Sequence, residues 1–279
     1  MADYIEIPTP AGTFDALSAG EEGDRPVLLL HGFPQAAIEW REQLAVLGGA
    51  GCHAVAPDQR GYSPGVRPTE VADYRMEELV ADVLAIADRL GWARFDLVGH
   101  DWGAAVAWAV AAAHPDRVKS LTAVSVPHLD AFARALREDE DQQRRSEYMQ
   151  VFRRSGSDKL LLEDGARRLR RMYEHKIPEH HVEEYVQRFS EPGALDAALN
   201  WYRASKLTEA IGPIRVPTLY VWSTDDGALG STAALATGDH VTADYRFEMI
   251  EDVSHWVPEQ AADDLTRVLL EHLIAHQDA

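Results

Sequence analysis

Four short stretches carry residues that could do chemistry together. Gly99-His-Asp-Trp-Gly103 sets Asp101 between two glycines, at the spacing of the Gly-x-Ser-x-Gly nucleophile elbow, with a carboxylate where a serine hydroxyl is usual. A strand that reverses sharply into a helix forces its middle residue into a strained backbone, and only small neighbours allow so close an approach. One side chain is then held out at the C-terminal edge of a sheet, beside the positive end of a helix. A carboxylate there is ionised at neutral pH and attacks without a base. On an ester carbonyl it forms an anhydride, which readily reverses. On an sp³ carbon with a leaving group it forms a stable alkyl ester. Aspartate therefore favours epoxides or alkyl halides over carboxylic esters. Taken alone, the five residues also fit a helix-capping aspartate with no chemistry.

The other three stretches supply what such a nucleophile needs. His31-Gly-Phe-Pro34 ends an apolar run with a glycine turn, which can aim a backbone N–H at Asp101. With the N–H of Trp102 it forms a candidate oxyanion hole from Phe33 and Trp102. Ser223-Thr-Asp-Asp-Gly227 offers two acids, Asp225 and Asp226, and Asp252-Val-Ser-His-Trp-Val-Pro258 offers His255. The order nucleophile, acid, histidine is that of a triad built on consecutive loops at one sheet edge. His100, beside Asp101, must point the other way and reads as packing.

The elements that must position these residues follow from periodicity. Tyr4–Ile7 and Thr13–Ala19 flank a Pro/Gly turn and predict a hairpin. Val27–His31 is an apolar run suited to a strand buried on both faces. Ile38–Leu47 predicts a helix, His53–Pro57 a strand, and Asp58–Tyr62 a turn. Leu79, Val83, Ile86 and Leu90 mark a helix from Met76 to Leu90, closed by Gly91. The elbow strand and its Ala-rich helix come next, then a strand over Leu121–Val126. Strand alternating with helix predicts an α/β fold with a doubly wound, mostly parallel sheet. The alternation stops at Pro127 and resumes at Val216–Trp222 and Tyr245–Ile250, before a last helix over Ala261–His276. Residues 1–126 and 212–279 thus read as the core domain, and 127–211 as an inserted helical lid. Its arginines (Arg144, Arg145, Arg153, Arg154, Arg167–Arg171) read as a solvated face.

Bulk properties narrow the function classes. Of 279 residues, 46 % are hydrophobic, enough for a sizeable core. Forty-six acidic against 27 basic residues give a formal charge of −19, which disfavours nucleic acid and anionic membranes as partners. Neither an apolar run of membrane length nor a leader-like N-terminus is present, so a cytoplasmic location is expected. The lone Cys52 reads as a small buried residue. Metal-ligand spacing is lacking, and no cofactor is expected.

At this point the chain resembles the α/β-hydrolase family along nearly its whole length. His31–Pro34, Arg60-Gly-Tyr62, Gly99–Gly103 and Ser254-His-Trp256 look like the soluble epoxide hydrolases. The resemblance implies Asp101 as nucleophile, His255 as the base that activates water, and Asp226 rather than Asp225 as its acid. It also implies two lid tyrosines on the epoxide oxygen: Tyr202, in Leu199-Asn-Trp-Tyr-Arg203, and Tyr148, in Glu147-Tyr-Met-Gln-Val-Phe152. Ser223 departs from the usual glycine without touching the reacting groups. The expected reaction takes a small apolar epoxide and water to a vicinal diol, and a homo-oligomer is compatible with it. A haloalkane or haloacid dehalogenase is the rival. Haloalkane dehalogenases, however, usually have asparagine at the position of Phe33, and fluoroacetate dehalogenases have arginines where Trp102 and Ala105 stand. A non-catalytic, ligand-binding hydrolase fold is the remote alternative.

Overall fold

The computed structural model describes residues 2–173, 175–205 and 209–278. Eight strands form one sheet: β1 (Asp3–Thr9), β2 (Gly12–Ala19), β3 (Arg25–Leu30), β4 (Cys52–Pro57), β5 (Phe95–His100), β6 (Val118–Val124), β7 (Thr218–Ser223) and β8 (Tyr245–Ile250). Their order is β1-β2-β4-β3-β5-β6-β7-β8, with β3 to β8 parallel and the first two antiparallel. After β3 the chain goes one way to β4, then crosses to β5 on the other side. The reversal opens a crevice at the C-terminal ends of β3 and β5, where ligands of such sheets bind. Phe33 follows the first of these ends, and Asp101 the second.

Residue chemistry accounts for the centre of the sheet. The inner parallel strands are almost wholly apolar and buried, as strands covered on both faces must be. At their N-terminal ends Arg25 donates to Asp96 from Nε (2.6 Å) and Nη2 (2.8 Å), and Ser120 donates to the same carboxylate at 2.6 Å. One side chain from each of β3, β5 and β6 thereby fixes their mutual register. Helices α1 (Arg41–Gly49), α2 (Met76–Arg89) and α3 (Trp102–Ala113) cover the sheet, α2 packing on α3.

Between β6 and β7 the described residues form six helices: α4 (Leu129–Glu138), α5 (Glu140–Arg145), α6 (Tyr148–Phe152), α7 (Ser157–Met172), α8 (Glu179–Phe189) and α9 (Ala194–Ala204). Within α7 the run Asp164-Gly-Ala166 takes positive φ, so the helix kinks there. Three of the bonds that tie the inserted helices to the sheet's loops fall on the turns after β3 and β4. Trp201 Nε1 donates to Arg60 O, Tyr173 Oη to Pro34 O, and Arg188 to Asp58. Helices α10 (Ser231–Ala236), α11 (Val257–Gln260) and α12 (Ala262–Ala275) complete the chain, with α12 packed on α1. Among the described residues, no helix is long and apolar enough to cross a membrane.

Three local expectations differ from the structure. The single helix expected over Ile38–Leu47 is a 3₁₀ turn, Ala37–Trp40, followed by α1. The turn is fastened at its start by Asp58 Oδ1, which accepts from Ala37 N at 2.9 Å. Strand β6 ends at Val124, because Ser125 turns to a φ of 66° while its N–H still bonds Val221 O. Helix α10 had no sequence signal, being too short and alanine-rich to display a period.

Candidate active site

Asp101 is the one residue between β5 and α3, and its backbone sits at φ 50°, ψ −121°. Neighbouring glycines make that conformation possible. A Cβ on Gly99 would lie 2.3 Å from Gly103 O, one on Gly103 would lie 2.0 Å from Leu30 O, and one on Gly32 would lie 2.3 Å from Asp101 Cβ. Alanine at any of the three would push strand, helix or the Asp101 side chain apart. The carboxylate that results is nearly buried, and its Oδ1 accepts the Phe33 N–H at 2.8 Å. Trp102 opens α3, so its N–H is a first-turn amide with no intrahelical carbonyl to bond.

Across from Asp101 stands His255, in the loop after β8. Its Nε2 is 3.3 Å from Asp101 Oδ2 and its Nδ1 is 2.8 Å from Asp226 Oδ2. Asp226 is 1 % exposed, and its Oδ1 accepts the N–H groups of Ala228 (2.8 Å) and Leu229 (2.9 Å). Asp225 faces outward and is exposed. Burial works against charge on His255, but Asp226 and Asp101 outweigh it and carry its pKa up to about 10. Asp101 is likewise pushed up by burial, yet its bond and attraction to His255 hold it below the usual carboxylate range. The resting arrangement is therefore carboxylate, imidazolium, carboxylate.

A hollow of about 380 Å³ opens above these groups, lined by Phe33, Asp101, Tyr148, Phe152, Tyr202, His255 and Trp256, with Val151, Leu161 and Met172 further out. Tyr148 comes from α6 and Tyr202 from α9, with ring centroids 6.3 Å apart, and Tyr202 packs edge-on against Trp102 at 5.0 Å. Both phenols are raised above their ordinary value, first by burial and then by Asp101 and other neighbouring groups. They are firmly protonated donors, not the phenols of ordinary pKa that a solvated side chain would offer. On the far side of Asp101 a small apolar alcove of about 20 Å³ lies among Trp102, Phe132, Met149 and Leu229. A larger hollow, about 650 Å³, lies between α2, α3 and the chain near Ile211, and shares no residue with the site.

Several residues at the site had no signal in the sequence. His100 does point away from Asp101, but it is not mere packing. Its Nε2 lies 2.9 Å from the backbone oxygen of His255, and its Nδ1 lies 3.3 Å from Oε2 of Glu39, a wholly buried acid. Two lid side chains grip the loop that carries Asp226. Arg145 donates to Asp226 O at 2.6 Å, while Gln142 donates to Ala228 O and accepts from Gly230 N, both at 2.8 Å. Arg153 donates to Tyr202 O at 3.0 Å. Arg145 is thus not part of a solvated face, whereas Arg153, which stays exposed while making that bond, and Arg167, Arg168 and Arg170, paired with Asp164, Glu163 and Glu183, are.

The sequence lacks metal-ligand spacing, yet the fold gathers His128, Asp130 and His240 with ligand atoms within 4.8 Å of one another. Both nitrogens of His128 are already used. Nδ1 accepts from Asp130 N at 3.2 Å, and Nε2 donates to Gly212 O at 3.0 Å. Burial and His240 lower its pKa to about 4, and the two rings stack with centroids 4.5 Å apart. The trio binds the two ends of the inserted helices together, and a metal there would have to break those bonds.

Comparison with known proteins agrees with this fold. The family model described as alpha/beta hydrolase fold matches residues 25–262. The chain is 32 % identical to epoxide hydrolase A of Mycobacterium tuberculosis, covering 92 % of each chain. It is 30 % identical to epoxide hydrolase 3 of Xenopus tropicalis, over 97 % of this chain and 77 % of that one. The crystal structure of epoxide hydrolase A from Mycobacterium thermoresistibile superposes with a TM-score of 0.86 at 28 % identity, covering 98 % of both chains.

Proposed function

The chain belongs to the α/β-hydrolase fold family and is closely related to epoxide hydrolases, and from that premise we propose that it opens an epoxide to a vicinal diol through an ester on Asp101. The observation that carries the reading is a hollow lined together by Asp101, His255, the buried Tyr202 and the half-buried Tyr148. Oδ1 of Asp101 is held by the Phe33 N–H, which leaves Oδ2 to attack. The new bond joins Oδ2 to an epoxide carbon as the ring C–O bond breaks. Tyr202 and Tyr148 donate to the departing oxygen, which would otherwise become an unprotonated alkoxide in a closed apolar site.

Alkylation neutralises Asp101, so His255 loses one of the two anions that keep it protonated. It gives up its Nε2 proton to the tyrosinate left by ring opening, and the neutral ring then takes a proton from water as the hydroxide attacks the ester carbonyl carbon. Charge then collects on Oδ1, where the Phe33 N–H already points and the Trp102 N–H is the second donor. Collapse releases the diol and restores the carboxylate. Asp226 keeps Nδ1 of His255 protonated and the ring in place throughout.

Halide displacement by the same aspartate is disfavoured by the lining. Among the described residues no lysine or arginine lines the hollow, as a haloacid would require, and the tyrosines have no task when the leaving group is already a stable anion. The test is a single turnover in heavy-oxygen water with enzyme in excess. We expect the first diol to carry a light oxygen, taken from Asp101. Heavy oxygen in that diol would mean direct attack by water and would overturn the ester mechanism. Halide release outpacing diol formation across a panel of epoxides and alkyl halides would overturn the substrate class.

A further inference from the structure

We propose that Glu39 is a protonated carboxylic acid at neutral pH and that, acting through His100, it is a positioning residue for His255. The argument starts at a carbonyl. The backbone oxygen of His255 can only accept, so Nε2 of His100, 2.9 Å away, carries a proton and donates it. The other nitrogen, Nδ1, lies 3.3 Å from Oε2 of Glu39. Two arrangements satisfy that contact. Either His100 is a cation paired with a carboxylate, or His100 is neutral and Nδ1 accepts a proton from a carboxylic acid.

The surroundings favour the neutral chain. His100 is fully buried, with its ring centroid 4.9 Å from that of His255, which is itself the cation of the site. Burial first, and the charge on His255 second, bring His100 down to about 3. Glu39 is buried too, with Glu259 on α11 and Asp101 at the elbow beside it, and burial and then those charges drive it well above the usual carboxylate range against the smaller, opposing pull of the Gly32 backbone N–H. Its second oxygen, Oε1, is buried and accepts no hydrogen bond. An ionised carboxylate with one oxygen left bare costs far more than a neutral acid in the same place. The result is a chain of neutral donors: Glu39 O–H to His100 Nδ1, then His100 Nε2–H to the carbonyl of His255. Ser125 Oγ (3.3 Å) and Val257 N (2.9 Å) donate to the same oxygen, so three groups fix the backbone that carries the base.

The protonation is independent of the reaction; only the kinetic consequence rests on the proposed function. Infrared difference spectra of the native protein against Glu39→Gln should show a carboxylic-acid carbonyl stretch lost in the variant at neutral pH. A lost carboxylate band instead would overturn the proposal in favour of the ion pair. Kinetically, Glu39→Leu leaves Nδ1 without a donor and loosens His255. Hydrolysis of the ester should slow about tenfold or more, on the scale by which small misplacements lower rates, with the alkylated protein accumulating. Glu39→Gln, whose amide N–H replaces the acid proton, should recover most of that loss. Equal losses in both variants would mean that Glu39 acts by charge, and the positioning role would fall. If no alkylated protein forms from any epoxide with the native chain, the mechanism fails while the infrared result still decides the protonation.

Discussion

At the level of single residues, the proposed mechanism works by moving one charge. His255 is held at about 10 because two carboxylates face it, and only one of them, Asp226, survives alkylation as an anion. Asp101→Asn imitates the neutral ester. We expect the pKa of His255, followed by NMR of the imidazole, to fall by at least about one pH unit, each such unit being worth about 1.4 kcal/mol of interaction. An unchanged value would mean that Asp101 has no hold on the base. The sign for stability follows as well. A raised histidine stabilises the fold fully below its unfolded value of about 6.5, and that contribution is lost as pH rises through about 10. That Asp101 and His255 would meet was legible in the sequence, because each sits in a short loop whose glycines, or whose rank in the strand order, announce it, whereas Asp226 was separated from Asp225 only by the family resemblance. Glu39 was not legible. Position 39 lies in a four-residue 3₁₀ turn that is buried throughout, and its partner His100 is sixty-one positions away, so only the meeting of the β3 and β5 ends brings them together.

At the level of elements, the inserted helices do two jobs, and only one was visible beforehand. Their existence follows from the break in strand alternation, and the boundaries 127 and 211 remain our reading of where lid gives way to core. Their grip on the Asp226 loop was not visible, because Arg145 and Gln142 look like any polar pair on a helix surface. The sequence pattern likewise gave no hint that Arg153 would hold the end of α9, where Tyr202 sits. The second job is to place two phenols over Asp101. Tyr202→Phe keeps the ring and its packing against Trp102 and Phe33, and removes only the hydroxyl. Positioned proton donors contribute about 10²- to 10⁴-fold. With Tyr148 still present, we expect at least a tenfold slowing of ester formation from epoxides. Any slow reaction with an alkyl bromide should hardly change, since bromide leaves without a proton. Equal losses on both substrates, measured by single-turnover quench, would reduce the tyrosines to shapers of the hollow.

At the level of the whole molecule, the formal charge of −19 is spread over a surface whose anions far outnumber its cations. The exposed arginines mostly meet carboxylates nearby, as Arg170 meets Glu183 and Arg246 meets Glu271, yet 27 cations cannot answer 46 anions. The surplus repels itself in the compact state and less so in the expanded one. Sodium chloride shortens the reach of that repulsion from about 30 Å at 0.01 M to about 8 Å at 0.15 M. The same salt weakens the surface pairs, but exposed pairs are each worth only about 0–1 kcal/mol, so the unpaired excess decides the sign. We therefore expect the melting temperature to rise by a few degrees over that range, about 2–4 °C for each kcal/mol gained. The site itself should not follow. Asp101, His255 and Asp226 are buried where mobile ions do not reach, and an uncharged epoxide is neither steered nor repelled by the surface. Its kcat/KM should stay level across the same salt series, whereas an epoxide bearing a carboxylate should react faster as salt is added. A melting temperature that falls with salt would show the local ion pairs to outweigh the surplus. A neutral epoxide whose kcat/KM climbs in step with salt would show that surface charge reaches the hollow after all.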